Sequence, residues 1–85
     1  MITVRYFAAL REKLGAQDEV SLADWPAPHT VAALRAHLCQ RSAGHAAAFD
    51  GVRALRAARN QQMCDDDEAL TDGDEVAFFP PVTGG

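Results

Sequence analysis

The chain is poor in cysteine, in positive charge and in long apolar runs, and each shortage removes a class of function. Of its 85 residues only Cys39 and Cys64 are cysteines, too few for the disulfide framework on which small secreted domains rely. No apolar run approaches the length of a bilayer span. The opening residues carry Arg5 and Arg11 inside an alternating pattern, where a secretory leader would have an apolar block. These features predict a reducing cytoplasm with two free thiols. Eight lysines and arginines stand against twelve acids, for a formal charge of −4; this argues against nucleic acid and against an anionic membrane as partner.

Sites for metals, phosphates and side-chain catalysis are missing too. His29, His37 and His45 stand eight apart, a spacing that neither a helix face nor a short turn gathers into a metal site, so they are expected on the surface. Asp65-Asp66-Asp67-Glu68 lacks the alternating ligands and the glycine of a calcium loop. Seven of the twelve acids (Asp65, Asp66, Asp67, Glu68, Asp72, Asp74, Glu75) fall in this one region. A solvated loop is the expectation, with steering of a basic partner as the alternative. Cys39, next to Leu38, is expected to pack as a small hydrophobe. Cys64 shows no basic neighbour that would lower its pKa and fit it to relay sulfur. There is no catalytic triad and no glycine loop to cradle phosphate, and no bound cofactor or metal is expected.

What is present is a single small core, with 48% hydrophobic residues. A chain of this size buries only about two-thirds of its unfolded surface. Ile2 to Phe7 alternates with period two and predicts a strand, with Ile2, Val4 and Tyr6 on one face and Thr3, Arg5 and Phe7 on the other. Ala8 to Leu14 predicts a short helix stopped by Gly15, and Glu19 to Leu22 a second strand. Pro26 and Pro28 mark a loop. Thr30 caps the clearest helix, Val31 to about Arg41, in which Val31, Leu34 and Leu38 form the packing face. Ser42 to Asp50 supports only a short helical turn or an ordered loop, broken at Gly51. Arg53 to Asn60 has helical propensity but no wide apolar face; it is read as a strand, turned at Asn60-Gln61 into a second one at Gln62 to Cys64. The order is β-β-α-β-β, with the last strand at Glu75 to Phe79. This is an α+β layer of about five strands on one main helix.

The chain is organised around its end. Asp72-Gly73 turns, Val76 to Phe79 reads as a buried strand, and Pro80-Pro81 cannot donate to a ladder. Val82-Thr83-Gly84-Gly85 then leaves the body extended, so residues 1–79 are expected as one domain and residues 80–85 as a flexible tail. Without Cβ atoms, Gly84 and Gly85 pass a channel too narrow for other residues. The group they deliver is a carboxylate, ionised at neutral pH and unreactive until activated.

Val4-Arg5-Tyr6-Phe7-Ala8-Ala9-Leu10-Arg11-Glu12, Thr30-Val31-Ala32-Ala33-Leu34, Asn60-Gln61 and the run from Leu70 to Gly85 resemble the small, sulfur-carrying subunits of molybdopterin synthase. The resemblance spans essentially the whole chain, and its last sixteen residues are the specific part. It implies the ubiquitin-like β-grasp fold and a carrier without an active site of its own. In that family an E1-like enzyme uses ATP to adenylate the carboxylate, here that of Gly85. A sulfur donor protein then converts it to a thiocarboxylate, which attacks a cyclic pterin monophosphate in the large synthase subunit. Two charged carriers supply the two dithiolene sulfurs. The same resemblance implies docking through Phe7, Met63 and Phe79, with Arg11 facing acids of the activating enzyme. Pro80, Pro81, Val82 and Thr83 would lead the tail to its partner. For Phe79 burial is the competing expectation, since only one of Phe78 and Phe79 faces inward. Arg59 stands where an apolar residue is expected, which fits an edge strand with outward arginines or a shifted register. The same tail would also suit a carrier for thiazole or amino-acid synthesis, or a modifier conjugated to lysines. A β-grasp interaction module with an inert tail is the reading from another class.

Overall fold

The computed structural model describes residues 1–52 and 54–81. Five strands form one mixed sheet: β1 (Ile2–Tyr6), β2 (Gln17–Val20), β3 (Arg56–Arg59), β4 (Gln62–Cys64) and β5 (Glu75–Phe79). The helices are α1 (Ala9–Leu14), α2 (Val31–Arg41) and α3 (Ala43–Asp50). Across the sheet the strand order is β2-β1-β5-β3-β4, with β1 and β5 parallel and the other neighbours antiparallel.

Alternation along β1 decides which face is covered. Ile2, Val4 and Tyr6 are buried, and the cross-strand partners of Val4 and Tyr6 in β5, Val76 and Phe78, are buried as well. Against this face pack Val31, Leu34 and Leu38 of α2, Leu10 of α1 and Phe49 of α3. Phe49 meets Tyr6 and Phe78 edge-on, with ring centroids 6.1 and 5.4 Å apart, an arrangement favoured by the ring quadrupoles. Thr30 caps α2 as expected, its Oγ1 accepting from the Ala33 N–H at 3.2 Å.

The structure corrects several expectations. The second strand lies two residues earlier than Glu19–Leu22, because Ser21 accepts from the Ala23 N–H and starts a 3₁₀ turn at Leu22–Asp24. Ser42–Asp50 contains a complete helix: Ser42 Oγ accepts from the His45 N–H at 3.0 Å, and Ala48 and Phe49 supply the buried contacts that hold it. Of the strand expected at 53–60, Arg53 lies outside the described residues and the described part narrows to Arg56–Arg59, which is no edge. It pairs with β5 on one side and β4 on the other, so that β4 and β2 are the borders. The turn at Asn60-Gln61 has φ of 50° and 69°, the left-handed pair that matches hairpin twist.

None of the three histidines is fully exposed. His29 Nε2 lies 3.0 Å from both the Leu22 and Trp25 carbonyls, so that nitrogen carries the hydrogen and donates. His37 stacks on Trp25. His45 Nε2 lies 2.8 Å from Asp18 Oδ2, which also accepts from the Tyr6 hydroxyl at 2.8 Å. Ser42 Oγ lies 2.7 Å from His45 Nδ1. This chain of bonds clips α3 to β1 and β2. Burial and the adjacent Asp18 push the Tyr6 phenol far above its usual range. Burial would raise the Asp18 carboxyl, but hydrogen bonds from His45 and Tyr6 hold it below its ordinary value.

Arg59 explains its own irregularity. Its partner Val76 is a core residue, so Arg59 lies on the covered face at the end of the sheet. There Arg59 Nε donates to Asp74 at 2.8 Å, and its terminal nitrogen lies 3.1 Å from Glu68. Asp74, with 8% side-chain exposure, also accepts from the Thr71 N–H at 2.8 Å and the Asn60 amide at 3.0 Å. Burial alone would raise its carboxyl; these donors and the guanidinium charge hold it at about 2. Gly73, at φ 92°, lets the chain turn into this position. Much of the acidic stretch is therefore engaged within the fold. Asp66 pairs with Arg35, Glu68 and Asp74 with Arg59, Glu75 with Arg5, and Asp72 with the α-ammonium of Met1.

Candidate functional site

The uncovered face of the sheet collects the odd residues of β1 and their register partners. Arg5 is opposite Ala77, Ala77 opposite Ala58, and Ala58 opposite Met63, so one row crosses β1, β5, β3 and β4. The middle of that row is two alanines, and the small side chains leave the floor low. Phe79 projects onto this face from the end of β5, because Phe78 points inward and is fully buried. Phe7 follows Tyr6 out of β1 and is 38% exposed.

Phe7, Ala77, Phe79 and Pro80, with Arg5, Glu75 and Gln61 at the sides, line a groove of ≈ 560 Å³. Its centre is apolar and its border polar, the layout of a protein-docking patch. The Arg5 guanidinium carbon sits 5.8 Å from the centre of the Phe7 ring and restrains it by cation–π attraction. Arg5 also lies 3.7 Å from Glu75, so the polar wall carries opposed charges.

The structure thus brings Phe7, Phe79 and Pro80 together. Met63 shares the face and is 54% exposed, but it stands on the border strand β4, outside the groove lining. Arg11 is exposed on α1 and, among the described residues, forms no ion pair. Pro81 is half-buried just beyond the groove. Val82, Thr83, Gly84 and Gly85 lie outside the described residues. Sequence reasoning did not single out Arg5, Gln61, Glu75 or Ala77. The signal for Arg5 and Ala77 was available, since both fall on the faces opposite the buried residues of their strands.

Cys64 is half-buried on β4. Burial, then the charge of Glu68, pushes its thiol up; contrary to expectation a basic residue, Arg59, stands nearby, but its lowering effect is outweighed. A raised thiol is a poor nucleophile at neutral pH. Among the described residues no group of three or more His, Cys, Asp or Glu side chains is placed to hold a metal ion. No helix among them is long and apolar enough to cross a membrane. The chemistry available on this face is recognition.

Comparison with known proteins identifies the family and the fold. The ThiS family profile matches residues 4–85. The molybdopterin synthase sulfur carrier subunit of Escherichia coli (strain K12) is 49% identical over 85 residues, covering 100% of both chains. Among solved structures, a putative molybdopterin converting factor subunit 1 from Pyrococcus furiosus superposes with a TM-score of 0.76 at 30% identity, covering 95% of this chain and 97% of that one. The complex of subunits 1 and 2 of the molybdopterin-converting factor from Helicobacter pylori 26695 contains a chain with a TM-score of 0.65 at 26% identity, covering 99% of this chain and 97% of its own. The mixed sheet with its helices on one face is the ubiquitin-like β-grasp fold. By full-length match and by fold, the chain belongs to the ThiS family, among the sulfur carrier subunits of molybdopterin synthase.

Proposed function

We propose that the chain carries sulfur on the carboxylate of Gly85 and delivers it as the small subunit of a molybdopterin synthase. The observation that carries this reading is the 49% identity to the Escherichia coli carrier subunit along the entire length of both chains. A carboxylate oxygen of Gly85 attacks the α-phosphorus of ATP on an E1-like enzyme, and pyrophosphate leaves. The acyl adenylate is an electrophile; the outer sulfur of a donor protein's persulfide attacks its carbonyl carbon and AMP leaves, and a thiol then cleaves the resulting acyl disulfide, leaving a thiocarboxylate on Gly85 and a disulfide on the donor. That product is a soft nucleophile that needs no side chain of its own. ATP belongs to the activating enzyme, and the carrier holds no cofactor.

The open sheet face is the docking surface in this reading. Phe7 and Phe79 seat in apolar pockets of the large subunit, Met63 adapts at the margin, and Arg11 meets acids of the activating enzyme. Because β5 is flanked by β1 and β3, the root of the tail is fixed against the middle of the sheet. Pro80 and Pro81 then stop strand pairing and start Val82 to Gly85 towards the partner's active site. Two carriers serve a synthase built as a heterotetramer and supply the two dithiolene sulfurs of the pterin product.

The test is the intact mass of the untagged protein after incubation with ATP, a sulfur donor and an E1-like activating enzyme. The expected change is one oxygen replaced by one sulfur, mapped to Gly85. An unchanged mass with a demonstrably active enzyme would refute the reading, and a variant lacking Gly85 should remain folded yet accept no sulfur.

A further inference from the structure

Register places a second arginine on the open face, on the far side of β5 from Arg5. Ala57 is opposite the buried Phe78, so Arg56, one residue earlier, points the other way and stands directly opposite Phe79. Residues so placed on antiparallel strands have Cβ atoms about 4.5–5.5 Å apart. Arg56 is exposed, and among the described residues its guanidinium forms no ion pair and no hydrogen bond.

Charge on this face is graded along the strands. Where β5 begins, Glu19 and Glu75 flank Thr3, which is the register partner of both. One pleat on, Arg5 is opposite Ala77; one further, Arg56 is opposite Phe79 at the root of the tail. A chain with a formal charge of −4 thus sets two cations towards the end of the face from which Pro80 and Pro81 leave. Arg5 is answered by Glu75 at 3.7 Å, whereas Arg56 has no such acid beside it among the described residues.

A pocket that closes over Phe79 also reaches its neighbour across the strand. Covering a guanidinium strips its water, and a charge left there without a partner weakens the complex. We infer that Arg56 is a specificity-determining residue of the docking face: the large synthase subunit sets an acidic side chain against it, beside the pocket that takes Phe79. A carboxylate matches the planar fork of a guanidinium with two parallel hydrogen bonds. The inference rests on the docking role proposed above. It makes the root of the tail a two-part address, an aromatic anchor and one charge pair, and a partner without the acid fails the second part. The alternative is that the long side chain carries its head past the rim into water, where removing the charge changes nothing.

The experiment measures Kd of the full-length carrier for the purified large synthase subunit by calorimetry at low ionic strength, with thermal unfolding alongside. The variants are Arg56→Gln, Arg56→Lys, Arg56→Glu and Phe79→Ala. Arg56→Gln is expected to weaken binding roughly thirtyfold with Tm unchanged, as when one member of a covered charge pair is removed. Arg56→Lys keeps the charge without the fork and should lose less. Arg56→Glu sets carboxylate against carboxylate and should lose more than Arg56→Gln. An unchanged or tighter Kd for Arg56→Gln, equal losses for Arg56→Gln and Arg56→Lys, or an Arg56→Glu no worse than Arg56→Gln overturns the inference. If Phe79→Ala binds like the parent, the docking reading itself fails; if it weakens binding while Arg56→Gln does not, only the charge pair falls.

Discussion

Asp74→Asn isolates the most heavily bonded carboxylate among the described residues and predicts a stability difference that depends on pH. The group is held at about 2 against an ordinary 3.8, which corresponds to roughly 2 to 2.5 kcal/mol of stability at neutral pH. Because the folded pKa lies below the unfolded one, this contribution is complete above the unfolded value. It drains away as pH falls towards 2, with about half of it gone by pH 3. Asparagine keeps the shape but cannot ionise, and its NH2 would face either the Arg59 Nε or the Asn60 amide, a donor against a donor. Urea unfolding at pH 7 should therefore place the variant about 2 kcal/mol below the parent, a midpoint shift of roughly 2 M for a domain with an m value near 1 kcal/mol/M. At pH 3 the gap should shrink to about 1 kcal/mol. Equal gaps at the two pH values would show that the ionised carboxylate is not what stabilises the turn.

The other expected outcomes concern the open face, the thiol and the buried hydroxyl. Phe79→Ala or Phe7→Ala should weaken binding to the large subunit by about 2 kcal/mol in calorimetry with little change in Tm; unfolding of either variant would place that side chain in the core. Cys64 should react with iodoacetamide more slowly at pH 8 than the same residue in the unfolded chain, with the rate rising only at pH values above the ordinary thiol range, since burial and Glu68 raise its pKa. Equal rates would remove the case against a sulfur relay. Tyr6→Phe should cost about 1 kcal/mol in urea unfolding, because it deletes the hydroxyl bond to Asp18 while preserving the ring contacts. It should also reduce the loss of stability on acidification, since Asp18 is held below its ordinary value partly by that bond.

Strands whose two faces differ in polarity were legible from sequence. Ile2, Val4 and Tyr6 announced β1 by alternation, and Asp72-Gly73 and Asn60-Gln61 announced their turns by residue type. Where tertiary contacts outvote local preference, reading by pattern stopped. Ala57 and Ala58 are both buried, one on each face of β3, so their strand shows no alternation, and alanine's helical propensity points the other way. The helix at Ala43–Asp50 rests on a Ser42 cap within an alanine run whose apolar face is only Ala48 and Phe49. Arg59 on the covered face made sense only with Asp74 and Glu68 in view, fifteen and nine residues away. For the docking face, the outward side of Phe7 followed from alternation, whereas the choice between Phe78 and Phe79 was open in the sequence, and the low floor of Ala58 and Ala77 depends on a register between distant strands. The chemistry assigned to Gly85 came from resemblance, since a glycine pair names no reaction.

The parallel pairing of β1 with β5 has a consequence for how the protein comes into being. The first strand to be made waits for the last, and β3 also lacks its inner neighbour until β5 exists. During synthesis the centre of the sheet stays open until residues 75–79 have left the ribosome, and such long-range closure is slow. The two hairpins β1–β2 and β3–β4 can form from neighbouring residues, but they become one sheet only when β5 enters between them.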